Sequence, residues 1–208
     1  MGSVVRAPKK KPDDRAKTSH TQCTNLLAAT SSRCRARDMV RVREELSEDI
    51  NAIRSVNTQA FGRTQESDVI DKLRRNCSDL LSLVAVRQNE IVGHILFSPA
   101  IVESEDRTTR GMGLAPIAVQ PQHQRQGIGS ELIRAGIAEL KNRHCPFVIV
   151  LGHPKYYPRF GFERASRHGI RSEWQVPDEA FMILMLDESK MRSISGVAKY
   201  RPEFAEEL

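Results

Sequence analysis

The feature that most constrains this chain is a predicted strand that passes through a glycine-containing loop into a long helix. Residues 114–119 form an apolar run typical of a strand, and residues 127–143 repeat apolar side chains at helical spacing. Gly127 and Gly129 stand where the helix begins, so a ligand can approach the backbone without meeting a Cβ atom. Because the first N–H groups of a helix are unpaired and carry the positive end of its dipole, this segment predicts a phosphate or pyrophosphate site.

Two well-known phosphate loops do not fit this segment. A Walker loop needs Gly-Lys-Ser or Gly-Lys-Thr, which is absent here. A dinucleotide fingerprint needs a third glycine three residues after Gly129, where Leu132 stands instead. An isolated Gly-x-Gly before a helix is also common in a simple turn that binds no ligand. The loop by itself therefore leaves ligand binding and a simple turn both open.

The rest of the chain predicts an alternation of strands and helices. A strand around Val40 and Val42 precedes a helix from Ile50 to Ala60 and a second helix over 66–75. Residues 88–90 supply a tight turn between two strands, which predicts an antiparallel hairpin. Further strands are predicted over residues 80–86, 91–97, 147–151 and 180–186. This order indicates an α/β layered architecture with a mixed sheet and no internal repeat.

The basic charge of the chain belongs to its first residues. The net charge is +6, and residues 1–37 contain nine of the 32 basic residues but only two of the 26 acidic ones. The remaining residues carry 23 basic and 24 acidic groups and are nearly neutral. Since no aromatic residue precedes Phe61, we predict that residues 1–37 form a disordered basic tail. A nucleic acid is therefore expected to bind only weakly, through this tail.

The sequence argues against membrane insertion, a metal site and a disulfide scaffold. No run approaches the ~18 apolar residues that a membrane-spanning helix needs. The four cysteines lie far apart and form no C-x-x-C pair, so neither a zinc site nor a disulfide framework is expected. No secretory signal is expected, because no apolar stretch of useful length follows the first lysines, and Arg6 stands where a myristoylation motif has Ser or Thr. We expect a cytoplasmic protein; a transit peptide over residues 15–37 is the alternative.

Two motifs together resemble the GCN5-related N-acetyltransferase (GNAT) superfamily. Gln124-x-x-Gly127-x-Gly129, preceded by a strand, is similar to its acetyl-CoA pyrophosphate loop. The segment Tyr156-Tyr-Pro-Arg-Phe-Gly-Phe162 is similar to its second cofactor motif, and one helix and one strand separate the two. Residues 91–98, 151–154 and 176–181 resemble the YhbS-like predicted acetyltransferases. The resemblance covers residues 40–186, and residues 196–204 resemble the C-terminus of that subfamily.

The resemblance implies a fold and an activity. The expected fold is the α/β GNAT fold, with a mixed, mostly antiparallel sheet, central parallel strands that splay apart, and helices on both faces. The domain is expected over residues 38–188, with residues 189–208 as its C-terminal extension. The implied activity is direct transfer of an acetyl group from acetyl-CoA to a primary amine of a small molecule or a protein. The alternative is a non-catalytic acyl-CoA-binding or regulatory module, and a homodimer stays open.

The same resemblance assigns residues to the cofactor. Backbone groups of Ile117, Ala118 and Val119 would bind the pantetheine arm, and the Val119 N–H would stabilise the oxyanion of the thioester carbonyl. Seven residues of the loop and helix would surround the pyrophosphate. They are Gln124, Arg125, Gln126, Gly127, Ile128, Gly129 and Ser130.

The resemblance also implies catalytic residues. Tyr157 would be the general acid that protonates the departing thiolate, or only a packed aromatic ring. Glu66, in the region that walls the acceptor site, and His153, directly after a predicted strand, are candidates for the general base. His94 lies within a strand, and alternation alone assigns it to neither face. Ordered water could replace a single base.

Overall fold

The predicted alternation is realised as nine strands and four α-helices in residues 39–192 and 194–205, the part of the chain that the computed structural model describes. The predicted tail, residues 1–37, lies outside the described residues. The strands are β1 (Arg41–Glu44), β2 (Leu81–Arg87), β3 (Glu90–Glu103), β4 (Thr108–Val119), β5 (Phe147–Leu151), β6 (Glu163–Arg164), β7 (Ile170–Ser172), β8 (Phe181–Met185) and β9 (Gly196–Lys199). The helices are α1 (Ile50–Phe61), α2 (Gln65–Asn76), α3 (Ile128–Asn142) and α4 (Glu188–Met191).

The long elements lie where the periodicity predicts them, and the differences have simple causes. β3 and β4 are longer than predicted. They pair with each other from Gly93 opposite Val119 to Glu103 opposite Thr108, and this pairing keeps their less apolar ends in the sheet. No strand was predicted at the positions of β6, β7 or β9. Strands of two or three residues are too short to show an alternating pattern.

The predicted hairpin between β2 and β3 is confirmed. Gln88 and Asn89, the two residues of its turn, have φ angles of 50° and 67°. Two successive left-handed residues form a type I′ turn, which matches the twist of antiparallel strands. Arg87 and Glu90 pair on either side of it.

The sheet is mixed and mostly antiparallel, as the resemblance implied. Its main path is β1-β2-β3-β4-β5-β8-β6, and β9 pairs with both β3 and β7. Two of the described pairings are parallel, β4 with β5 and β7 with β9. The C-terminal strand β9 therefore joins the sheet through residues 101–103 of β3. The boundary at residue 188 stays a prediction.

Helices cover both faces of the sheet, as expected. Phe97 of β3 packs against α3 so closely that a Cβ atom on Gly136 would lie 2.3 Å from its ring. The next residue toward the hairpin, Leu96, packs instead in a cluster with Ile70 and Leu73 of α2. Because consecutive residues of a strand face opposite sides, α3 and α2 lie on opposite faces.

Candidate functional site

β4 and β5 begin side by side and then separate. The second of their two parallel pairs joins Gly113 to Ile149, and the described residues form no further pair beyond it. Between Leu114 and Ile117, β4 has one residue more than the facing part of β3. Such a bulge bends a strand and increases its twist. The gap that opens between residues 114–119 and β5 is called the wedge here.

The open edge of β4 offers backbone donors to the wedge. The N–H of Gln120 donates to the Val92 carbonyl oxygen, on the β3 side, at 2.9 Å. Because successive residues of an antiparallel strand direct their backbone groups to opposite sides, the N–H groups of Val119 and Ile117 point into the wedge. Ala118 directs its own N–H and carbonyl toward β3. An extended ligand could therefore pair with Ile117 and Val119 as a neighbouring strand would.

The loop ahead of α3 is held by its own glutamines. Gln124 Nε2 donates to the Val119 carbonyl at 3.0 Å, and Gln126 Nε2 donates to the Gln122 carbonyl at 3.1 Å. Gly127 immediately precedes the helix with a φ of 89°, a conformation that strains residues with a side chain. The loop thus presents the first N–H groups of a 15-residue helix, which have no partner inside the helix.

A cleft of about 740 Å³ extends from this loop to the wedge and is called the loop cleft here. Eight of the ten residues predicted to bind the cofactor line it. The exceptions are Ala118, which is buried, and Gln126, whose side chain braces the loop. Arg125 contributes a cation to the lining, and no carboxylate is present among the described lining residues. This charge balance suits a phosphate ligand.

Three residues that were predicted neither to bind the cofactor nor to act in catalysis also line the loop cleft: His123, Tyr156 and Arg159. The Arg159 guanidinium lies 4.0 Å from the centre of the Tyr156 ring, and its Nε donates to the Tyr156 carbonyl at 3.0 Å. A Cβ atom on Gly129 would lie 2.9 Å from the Tyr156 hydroxyl. The aromatic motif therefore touches the glycine loop. The position of Arg159 within that motif is the signal that could have identified it.

Tyr157 lies buried where the loop cleft meets a second cavity. Its ring makes edge contacts with Tyr156 at 5.2 Å and with Phe162 at 5.6 Å between ring centres. A Cβ atom on Gly152 would lie 2.3 Å from this ring, so the glycine makes room for it. Burial raises the pKa of Tyr157 to about 12, and the neighbouring Tyr156 makes a smaller contribution in the same direction. The phenol is therefore protonated at neutral pH and can donate a proton.

The second cavity, called the aromatic pocket here, has a volume of about 330 Å³ and shares Ile117 and Tyr157 with the loop cleft. The other aromatic side chains of its wall are Phe61, Trp174, Tyr200 and Phe204. The Trp174 and Tyr200 rings stack with centres 5.1 Å apart, and Phe204 meets Tyr200 edge-on at 5.7 Å. β7 and β9, which are paired, hold this wall because Trp174 and Tyr200 closely follow them.

The structure separates the two candidate bases. Glu66 lines the aromatic pocket with its side chain 16% exposed. Its Oε1 accepts hydrogen bonds from Arg63 at 3.0 and 2.6 Å, whereas its Oε2 is shielded from solvent and bonds to no described residue. His153 is exposed and lines the loop cleft, where its Nδ1 accepts from the Lys155 N–H at 3.2 Å. Glu66 and Tyr157 thus meet in one cavity, and His153 lies outside that cavity.

His94 is buried in the sheet and lines neither of the two cavities. Its Nδ1 accepts from the Asn57 amide at 3.1 Å, and its Nε2 lies 3.0 Å from the Ser82 hydroxyl. Ser82 in turn donates to Glu45. Desolvation lowers the pKa of His94 to about 3. The network that surrounds it holds a neutral imidazole and links β3 to α1.

Comparison with known proteins identifies the family that combines these features. The model of the family described as acetyltransferase (GNAT) domain matches residues 41–165, more than half of the chain. The chain belongs to the GNAT family of acetyltransferases. The sequence prediction of this family is confirmed.

Curated and structural relatives support the same family. The uncharacterized N-acetyltransferase YjhQ of Escherichia coli K12 is 42% identical over 63% of this chain and 74% of its own length. The uncharacterized N-acetyltransferase YhbS of the same strain is 30% identical over 78% of this chain and 97% of its own. The crystal structure of Escherichia coli YhbS in complex with CoA is similar with a TM-score of 0.74, at 28% identity over 80% and 92% of the two chains. A GNAT acetyltransferase from Brucella melitensis in complex with acetyl-CoA gives a TM-score of 0.65, at 30% identity over 80% and 98%.

Only some of the residues that line the aromatic pocket lie within the range that matches the GNAT family model. Every residue that lines the loop cleft lies within residues 41–165. Trp174, Tyr200 and Phe204 lie beyond residue 165 and complete the aromatic pocket. The chain that follows the matched GNAT domain therefore shapes the aromatic pocket.

Two further properties concern the described residues of this GNAT chain. They contain no group of three or more His, Cys, Asp or Glu side chains that could hold a metal ion. Their helices are all too short or too polar to cross a membrane.

Proposed function

We propose that this protein transfers the acetyl group of acetyl-CoA directly to a primary amine that occupies the aromatic pocket. The observation that carries the proposal is the meeting of two cavities at Ile117 and Tyr157. One cavity has the glycine loop and the cations that suit a diphosphate, and the other has room for an acceptor. The CoA complex of YhbS and the acetyl-CoA complex of the Brucella melitensis relative support acetyl-CoA as the cosubstrate.

The loop cleft would hold the cosubstrate by its diphosphate. The free N–H groups at the start of α3, after Gly127, would donate to the phosphate oxygens. Arg125 and Arg159 would add charge to this contact from either side of the cleft. The pantetheine arm would then lie along β4 in the wedge, where the Val119 N–H points away from β3. This arrangement brings the thioester to the junction of the two cavities.

The Ile117 N–H fits the role of oxyanion donor better than the Val119 N–H that the resemblance implied. Both N–H groups point into the wedge, but Val119 lines only the loop cleft, whereas Ile117 lines both cavities. The amine attacks the thioester carbonyl carbon, and negative charge develops on the carbonyl oxygen. A donor fixed at that oxygen stabilises the charge with no reorganisation during the reaction.

Tyr157 and Glu66 would move the protons. The acceptor enters as an ammonium ion and must lose a proton before it can attack. Glu66 lines the pocket that the acceptor would occupy, so we assign the base role to this carboxylate, directly or through water. When the C–S bond breaks, the sulfur takes the proton of the Tyr157 hydroxyl, which is protonated at neutral pH, and the tyrosinate recovers a proton from the nitrogen that becomes the amide. His153 would serve the cosubstrate side of the site.

The experiment replaces Tyr157 with phenylalanine. Tyr157→Phe keeps the buried ring and its edge contacts but deletes the donor. General-acid catalysis contributes ~10²–10⁴-fold, so turnover should fall by that order while the affinity for acetyl-CoA stays within about threefold. Turnover is measured as release of free CoA thiol with a panel of amines, and affinity is measured by titration calorimetry.

The matched control is Tyr156→Phe, one residue away in the same aromatic cluster. Its hydroxyl lies against Gly129 in the loop cleft and outside the aromatic pocket, so its loss should leave turnover nearly unchanged. Equal and small effects of both variants would show that Tyr157 only packs. Acetyl-CoA binding without thiol release from any amine would favour the non-catalytic acyl-CoA-binding module.

A further inference from the structure

The aromatic pocket combines many rings with one carboxylate, and this combination selects among amines. We propose that the acceptor is a small monoamine whose single ammonium group is attached to an apolar, aromatic body. The inference rests on the proposed function and names its acceptor class. It excludes polyamines, aminoglycosides and peptide N-termini as the preferred acceptors.

The wall of the pocket fits an aromatic body. Trp174 and Tyr200 are already stacked, with their rings inclined by 15°, and Phe204 meets Tyr200 at 71°. Rings in these arrangements gain energy beyond the burial of their area, and a further ring can join them in the same way. Phe61 extends the apolar surface from the end of α1. An acceptor without an apolar body would leave this surface in contact with water.

The charge of the pocket limits the acceptor to one ammonium. Glu66 is the single acidic side chain among the described residues that line it, and the cation Arg63, which also lines the pocket, donates to the Oε1 of Glu66. The Oε2 of Glu66 bonds to no described residue, so this carboxylate retains an acceptor oxygen for an N–H donor. A second positive charge on the acceptor would find no carboxylate there, and an unpaired buried charge is costly.

The size of the pocket points to a small molecule. Its volume of about 330 Å³ is at the lower end of the ~300–1,000 Å³ of ligand pockets. A peptide acceptor would also need partners for its backbone amides. The walls offer it mostly rings and aliphatic side chains, among them Leu114, Pro116 and Leu151. A single aromatic ring with a short amine-bearing chain fits both the volume and the lining.

The test uses Trp174, the one tryptophan of the chain, as a binding reporter that does not depend on turnover. Tryptophan fluorescence is titrated with four probes in the absence of acetyl-CoA. They are 2-phenylethylamine, the neutral 2-phenylethanol, the ring-free propylamine and the polyamine spermidine. We expect a saturable change with 2-phenylethylamine at a concentration about tenfold or more below that needed for 2-phenylethanol or propylamine.

Glu66→Gln supplies the matched variant, because it keeps the shape of the side chain and removes its charge. The variant should abolish the preference for 2-phenylethylamine over 2-phenylethanol. Its affinity for 2-phenylethanol should stay within about threefold of that of the unaltered protein. Should this variant fail to fold, the comparison of the two probes on the unaltered protein still decides the inference. Equal binding of amine and alcohol, or tighter binding of spermidine, would overturn it.

Thiol release with the same amines, in the presence of acetyl-CoA, separates this inference from the proposed function. Faster release with spermidine or a peptide than with 2-phenylethylamine would overturn the acceptor class and leave the acetyltransferase intact. Saturable binding of 2-phenylethylamine with no thiol release from any amine would support the pocket chemistry and overturn the proposed function. Fast release with 2-phenylethylamine alone supports both.

Discussion

The buried imidazole of His94 predicts how the stability of this protein depends on pH. Its Nδ1 faces the amide nitrogen of Asn57, which also donates to the Ile53 carbonyl at 2.8 Å. The two hydrogens of this amide group therefore point at the imidazole and at the carbonyl. A protonated imidazole would place its own N–H against that donor, in a site without access to water. The folded state therefore keeps His94 neutral, and the unfolded state protonates it freely. Acid should destabilise the fold below the pKa of an unfolded histidine.

The magnitude follows from the two pKa values. The pKa of His94 falls from 6.5 to about 3 on folding, mainly through desolvation, with Glu45 opposing and Arg74 reinforcing the shift. Because the unfolded chain binds the proton and the folded chain does not, the free energy of unfolding falls as pH decreases. Linkage gives a loss of about 2 kcal/mol between about pH 7.5 and pH 5. The pKa values of Glu45 and Asp49 are also lowered, but carboxylates of that kind titrate mainly below this window.

The assay is urea unfolding at a series of pH values between 7.5 and 5, with His94→Gln as the matched variant. Glutamine can bond to Ser82 through its amide and carries no titratable proton. The variant should be less stable than the unaltered protein at pH 7.5 because it loses packing, yet its free energy of unfolding should stay nearly constant across the window. The same pH dependence in both proteins would refute the assignment to His94.

Two further predictions concern the cofactor loop and the first residues of the chain. Gly127→Glu places a side chain at a φ of 89° and a negative charge beside the proposed diphosphate, so calorimetry should show acetyl-CoA binding weakened by more than about tenfold with the fold retained. Unchanged affinity in the folded variant would remove the loop from the site. Deleting residues 1–37, which carry nine basic and two acidic residues, should leave the melting temperature and the acetyl-CoA affinity unchanged and abolish weak DNA binding. A markedly lower melting temperature would contradict the predicted disorder.

The cofactor side of the site could be predicted from the sequence because its chemistry is local. A diphosphate is recognised by backbone N–H groups at the start of a helix, and a glycine pair with a preceding strand encodes that arrangement within about twenty residues. Eight of the ten residues that the family resemblance assigned to the cofactor line one cleft. Ala118 and Gln126 do not, because strand alternation and a loop hydrogen bond turn them elsewhere.

The lining of the aromatic pocket, the proposed acceptor site, was decided by the tertiary structure. Glu66 and His153 were equivalent candidates in the sequence, and only the packing places one in the aromatic pocket and the other in the loop cleft. Trp174 and Phe204 stand far from Tyr157 along the chain and reach the pocket through the pairing of β7 with β9 and of β9 with β3. Such contacts depend on long-range strand pairing, which no local pattern records. The sequence by itself therefore determined the fold family and the glycine loop, and the tertiary structure decided which side chains line the aromatic pocket.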